Sequence, residues 1–232
     1  MFFGLTEEQE MIVETVRSFV ENEIYPHESL VESKGSVPTE IAQDIKQKCI
    51  NLGFYACNFP ENIGGAGLNH LDFALVEREL GRGSMALTHF FGRPQNILMA
   101  CKDEQIEKYL LPAVRGELMD ALAMTEPDAG SDVRGMKCFA KSEGKDWIVN
   151  GTKHFISGAE HADFVIVFIA TGEEKTEKGP KKKITAFLVD RGTPGFVIRD
   201  GYNSVSHKGY KNMILEFDDC RLPKEQVLGE VD

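Results

Sequence analysis

No C-x-x-C pair, P-loop, G-x-S-x-G elbow or strand-borne G-x-G-x-x-G occurs in the 232 residues. The common local signatures of metal, nucleotide and nucleophilic-serine sites are therefore missing. Five cysteines (Cys49, Cys57, Cys101, Cys138 and Cys220) are odd in number and scattered, as are the six histidines. Neither a disulfide framework nor a metal-ligand spacing can be drawn through them, so no metal is expected. Thiols left reduced point to a reducing compartment, with the cytoplasm as the expected location. Lys and Arg number 26 against 37 Asp and Glu, a net charge of -11, which argues against a nucleic-acid partner. No apolar run approaches the roughly 20 residues that cross a bilayer, so no membrane partner is expected. Met1-Phe2-Phe3-Gly4 leads almost directly into a helical pattern, so no leader is expected.

The chain does carry two successive periodicities. Thr6-Glu7-Glu8-Gln9 has the form of a capping box. Ile12, Val13, Val16, Phe19, Val20 and Ile24 then recur at helical spacing until Pro26, which is expected to end the run. Further helices are predicted over about 38–52, stopped by Gly53, and over 71–80, closed by Gly81. A fourth, over about 85–100, would be distorted by Gly92 and Pro94, and a fifth would start at Asp103 and end near Gly116. Past residue 118 the pattern turns to short runs of β type at 121–125, 137–142, 147–149, 153–156, 164–170, 184–189, 196–199 and 213–217. Asn150-Gly151 predicts a tight hairpin, because both turn positions favour positive φ. Lys181-Lys182-Lys183, following Glu173, Glu174 and Glu177, reads as a solvated loop. The expected architecture is α+β: a helical domain over 1–118, then an antiparallel β-barrel domain over 119–232. The residues from Leu222 to Asp232 read as a strand exit and a connection, which suggests a fragment or a short relative.

The most informative stretch is Ala121-Leu122-Ala123-Met124-Thr125-Glu126-Pro127-Asp128-Ala129-Gly130-Ser131-Asp132. A strand runs there into a loop whose free amides and small hydroxyls suit ligand oxygens. Thr125 to Asp132 is similar to the T-E-P-x-A-G-S-D signature of the acyl-CoA dehydrogenases. Asn150-Gly151-Thr152-Lys153-His154-Phe155-Ile156-Ser157 resembles that family's N-G-x-K-x-W-I-T segment. Pro60-Glu61-Asn62-Ile63-Gly64-Gly65-Ala66-Gly67-Leu68 resembles its P-E-x-x-G-G-x-G loop. The order and spacing of the three agree over essentially the whole chain.

The resemblance implies FAD as cofactor, an acyl-CoA substrate, an electron-transfer flavoprotein as partner and a homodimer or homotetramer. Leu122, Ala123, Met124, Thr125, Glu126, Pro127, Asp128, Ala129, Gly130 and Ser131 would line the flavin. Met124 and Thr125 would meet its pyrimidine edge. Phe155, Ile156 and Ser157 would pack on the isoalloxazine, and Ser131 would also contact the substrate. Phe155 stands where the family has Trp, keeping the aromatic surface without the indole N–H. Ser157 stands where it has Thr, keeping the hydroxyl without the methyl. The family's C-terminal helical bundle, roughly 150 residues, would lie beyond the part of the family that these 232 residues resemble. The resemblance puts the catalytic base in that bundle, so no residue of this chain is expected to be catalytic. A flavin monooxygenase or acyl-CoA oxidase on the same scaffold is the alternative enzyme. A catalytically inactive two-domain binding protein is the alternative outside enzymes.

Overall fold

A computed structural model describes residues 4–177 and 179–232. The expected entry of Met1, Phe2 and Phe3 into the first helix lies outside the described residues. The chain divides into two compact units. One holds the chain up to Asn96 with Val114–Glu117 and Ser204–Tyr210; the other holds Ile97–Ala113, Leu118–Asn203 and Lys211–Asp232.

The first unit is helical. Helix α1 (Glu7–Phe19) opens on the expected capping box, with Thr6 and Gln9 satisfying each other's backbone amides. Pro26 does not end the helical path. A π-helical turn over Val20–Ile24 leads straight into α2 (Tyr25–Lys34), which holds Pro26 in its first turn. No intrahelical amide bond is required at that position, so the missing N–H carries little cost. Helix α3 (Thr39–Asn51) and α4 (His70–Leu80) follow. The segment expected as one distorted helix breaks into α5 (Met85–Thr88) and two 3₁₀ turns, His89–Phe91 and Asn96–Ala100. Gly92 lies between the two turns at φ 82°. Glu79 of α4 is buried against Arg17 (3.0 Å) and Arg78 (2.8 Å), and its bond from Arg17 holds the carboxyl below the ordinary carboxylate range.

The second unit holds, among the described residues, a sheet of eight strands and the helical segment within Ile97–Ala113, where a π-helical turn over Ile106–Leu110 runs into a short helix, Leu111–Val114. The strands are β1 (Asp120–Ala123), β2 (Phe139–Glu143), β3 (Asp146–Ser157), β4 (Phe164–Thr176), β5 (Gly179–Asp190), β6 (Phe196–Tyr202), β7 (Asn212–Pro223) and β8 (Val227–Leu228). The order is β6-β7-β3-β2-β4-β5-β8, with β1 added beside β4. This corrects the expected antiparallel barrel: the sheet is open and mixed. Both β1 and β2 run parallel to β4, and β6 and β8 stand at the ends of the path. Close spacing of the strands in sequence suggested antiparallel pairing, but the turn-rich segment after β1 carries the chain over to β2 without pairing the two, and each pairs β4 instead. Register shifts in β3, β4 and β6 mark where the sheet bends.

Two local expectations are also overturned. Residues 147–156 are one strand, not a hairpin; the turn before β3 is made by Gly144 at φ 63°. Asn150-Gly151 is instead an irregularity opposite Cys220 and Phe217, where the Asn150 side chain bonds Asp219. Glycine is needed at 151 because a Cβ would stand 2.6 Å from the Cys138 Cα. The lysine cluster is likewise strand rather than loop. Lys182 lies opposite Glu173 and Lys181 opposite Glu174, paired at 3.0 and 3.2 Å.

The β core gathers the inward residues of these strands, among them Trp147, Val149, Ile156, Val167, Phe187, Leu215 and Cys220. All five cysteines are buried, and burial raises the thiols of Cys57, Cys101 and Cys220 to about 11 and that of Cys138 to about 12. Such thiols stay protonated and unreactive at neutral pH. Among the described residues no helix is long and apolar enough to cross a membrane.

Candidate functional site

Strand β1 ends with Ala121 and Ala123 turned into the core and Leu122 half-buried on the other face. The chain leaves it through Met124 and Thr125 into a tight loop, closed by the Glu126 amide donating to the Ala129 carbonyl (2.8 Å). Pro127, Asp128, Gly130 and Ser131 are exposed, whereas Glu126 and Ala129 are buried. A Cβ at Gly130 would meet nothing within 4 Å. Lys137 bridges to Asp128 at 2.7 Å across this exposed surface and holds that carboxyl below its ordinary range.

A buried ion pair fastens the loop down. Lys153 of β3, fully enclosed, donates from Nζ to Glu126 Oε1 at 2.7 Å and to the Met124 carbonyl at 3.1 Å. The same carboxylate accepts the backbone amides of Lys137 (2.5 Å) and Cys138 (3.1 Å). The His154 amide donates to the Thr125 carbonyl at 2.9 Å. Glu126 thus spends its side chain on the loop itself, and Lys153 joins the two most distinctive sequence motifs directly. A buried pair satisfied this fully fixes one loop geometry and is costly to break.

Immediately after Lys153 the strand bulges. Lys153 faces Leu215 and Ile156 faces Met213, so His154 and Phe155 together oppose the single residue Ile214. Phe155 takes φ 56° and leaves its ring half-exposed. An aromatic residue in the left-handed region is uncommon and carries strain, which persists where surrounding contacts impose it. Bulges re-aim side chains, and this one turns a large aromatic ring out of the sheet. The ring stacks on Tyr202 at a centroid distance of 4.3 Å and 29°, with the His154 ring 4.3 Å away on its own strand.

Ile156 resumes the strand pattern with its side chain in the core, so it meets any ligand only through its backbone. Ser157 is exposed and donates from Oγ to Asn212 Oδ1 at 2.9 Å.

The residues predicted for the site therefore divide. Met124, Thr125, Phe155 and Ser157 gather where the β1 exit meets the β3 bulge, joined through His154 and Lys153. Ala123, Ala129 and Ile156 face inward. Sequence reasoning missed Lys153, Asn212 and Tyr202. A lysine inside an otherwise strand-like motif was the available signal for the first. Asn212 and Tyr202 lie some distance along the chain and carried none.

A family profile described as "Acyl-CoA dehydrogenase, N-terminal domain" matches residues 6–117, and one described as "Acyl-CoA dehydrogenase, middle domain" matches 121–220. The short-chain specific acyl-CoA dehydrogenase of Homo sapiens mitochondria is 34% identical over 232 residues, covering 97% of this chain and 54% of that protein. The 3-(aryl)acrylate reductase of Clostridium sporogenes is 34% identical, over 100% of this chain and 60% of that protein. The solved FAD complex of PigA superposes with a TM-score of 0.84 at 28% identity, covering 100% of this chain and 60% of that one. The chain thus spans a little over half the length of the proteins it matches.

Proposed function

This chain belongs to the acyl-CoA dehydrogenase family, and from that premise we propose that it supplies the isoalloxazine-facing part of an FAD site in an oxidoreductase acting on acyl-CoA thioesters. The observation that carries the proposal is the junction of the Met124–Ser131 loop with the Phe155 bulge, tied by the buried Glu126–Lys153 pair. The residues present fit the group. A half-exposed ring held at positive φ offers a flat apolar surface to a heteroaromatic system, and the loop beside it offers backbone and hydroxyl polar groups. Support also comes from the FAD complex among the similar structures.

In this reading Met124 and Thr125 hold the polar edge of the ring, Phe155 supports its face, and Ser157 lies beside its reactive centre. The exposed Ser131 meets the substrate. When bound, FAD supplies the acceptor for a hydride. The protein's part is to orient, to exclude water and to hold protons. The Ser157 hydroxyl is itself fixed, since its proton points to Asn212, which leaves its lone pairs to accept. Glu126 cannot serve as the base that takes an α-proton, because its carboxylate is enclosed and already bonded to Lys153 and two amides. The base must come from elsewhere than this loop.

The direction of the reaction is the second element. One relative at 34% identity is named a dehydrogenase and another at the same identity a reductase, so the proposal covers formation or removal of a double bond next to a carbonyl. Anaerobic mixing of the FAD-loaded complete gene product with a panel of saturated acyl-CoA and enoyl-CoA thioesters tests it. At least one saturated thioester is expected to bleach the flavin, or one enoyl thioester to reoxidise the reduced form. A flavin that no member of the panel reduces or reoxidises would overturn the proposal; a flavin reduced by a saturated thioester and then rapidly reoxidised on admitting oxygen, with hydrogen peroxide released, would make the protein an oxidase.

A further inference from the structure

We infer that Tyr202 is a positioning residue of the aromatic platform, holding Phe155 in the orientation that meets the FAD ring. This rests on the reading of Phe155 as part of the flavin face. Tyr202 closes β6, a strand at the end of the sheet, and reaches Phe155 across the intervening strand β7. Two irregularities make that meeting possible. The bulge in β3 sets His154 and Phe155 against Ile214, and in β6 Asp200 and Gly201 are inserted between the pairs Arg199–Ile214 and Tyr202–Asn212. A Cβ at Gly201 would stand 1.9 Å from the Asn212 carbonyl oxygen, so only glycine lets β6 come this close before Tyr202.

The contact itself has direction as well as area. The two rings lie nearly parallel at 4.3 Å, and the Tyr202 hydroxyl lies 3.2 Å from His154 Nδ1, the residue beside Phe155 in the bulge. Tyr202 therefore grips both bulged residues at once, one by stacking and one by a hydrogen bond. It is 43% exposed and Phe155 is 50% exposed. Such surface is left open for a further flat ring rather than consumed in the core. A phenylalanine has less face than an indole, and the second ring stacked on it stiffens and extends the shelf.

FAD titrated into the apo form of the complete gene product, followed by flavin fluorescence, tests the assignment. Tyr202→Ala is expected to raise the dissociation constant about three- to tenfold, while the thermal midpoint stays near wild type because the residue ends an edge strand. Tyr202→Phe, which keeps the ring, should restore affinity to within about twofold. In a Phe155→Ala background, Tyr202→Ala should add little, since the residue acts through Phe155. Undiminished affinity in Tyr202→Ala, beside a clear loss in Phe155→Ala, would overturn the role of Tyr202 alone. Additive losses would do the same. Undiminished affinity in Phe155→Ala would overturn the flavin reading and this inference with it.

Discussion

Replacing Lys153 with methionine is expected to destabilise the β unit by about 3–5 kcal/mol, the cost of stripping one partner from a buried ion pair. Methionine fills a similar volume, so little of the loss comes from a cavity. What remains is a carboxylate, Glu126, enclosed at 3% exposure and left with two amide donors. The Met124 carbonyl loses its partner as well. Denaturant unfolding of the complete gene product measures the effect as a lowered midpoint. Adding Glu126→Gln to Lys153→Met removes the orphaned charge and is expected to recover at least about 1 kcal/mol, a coupling of the size found between contacting residues. A single variant that loses less than about 1 kcal/mol, or a double variant no better than the single, would mean that the pair is not what fastens the loop.

The second large effect separates stability from binding. Phe155→Gly removes an aromatic residue from φ 56°, a conformation that costs a non-glycine residue about 1–2 kcal/mol. It also removes a stacked pair worth about 0.5–1.5 kcal/mol. The two nearly cancel, so folding stability should move by less than about 1 kcal/mol. FAD affinity should not be spared: an aromatic ring stacked on a flat heterocycle contributes about 1–3 kcal/mol, or about five- to 150-fold in the dissociation constant. Parallel unfolding and flavin titration of the one variant distinguish the outcomes. Lost stability with unchanged affinity would make the strained phenylalanine a packing device and remove it from the site.

Much of this molecule is legible in its sequence, and the failures have identifiable causes. The change from helical to strand period near residue 118 lies beside the start of β1 at Asp120. The capping box at Thr6 and the stop at Gly53 stand where propensity puts them, because both are local. Pro26 and Asn150-Gly151 misled for a shared reason. A residue suited to ending an element also suits another role: a helix's first turn for proline, and close approach to Cys138 for glycine. Strand pairing was the larger miss, since alternation along β1 and β2 marks them as strands but says nothing of their parallel pairing with β4.

The candidate site was legible as motifs and not as a mechanism of assembly. The loop from Thr125 and the segment ending at Ser157 could be picked out by resemblance, yet their connection through Lys153 is a tertiary fact. The exposed ring of Phe155 depends on a bulge that only the partner strand β7 defines. Tyr202 arrives from the far side of that strand and left no trace in the linear pattern. Glu126 shows the opposite case, a motif residue whose side chain serves the loop's geometry.

Hydrogen–deuterium exchange on the complete gene product, compared with and without FAD, tests the central claim most directly because it reads each segment separately. Slowed exchange is predicted in peptides covering 124–131 and 154–157, the two sides of the junction that Lys153 ties together. Protection confined to other parts of the chain, with those two segments exchanging as fast as in the apoprotein, would contradict it.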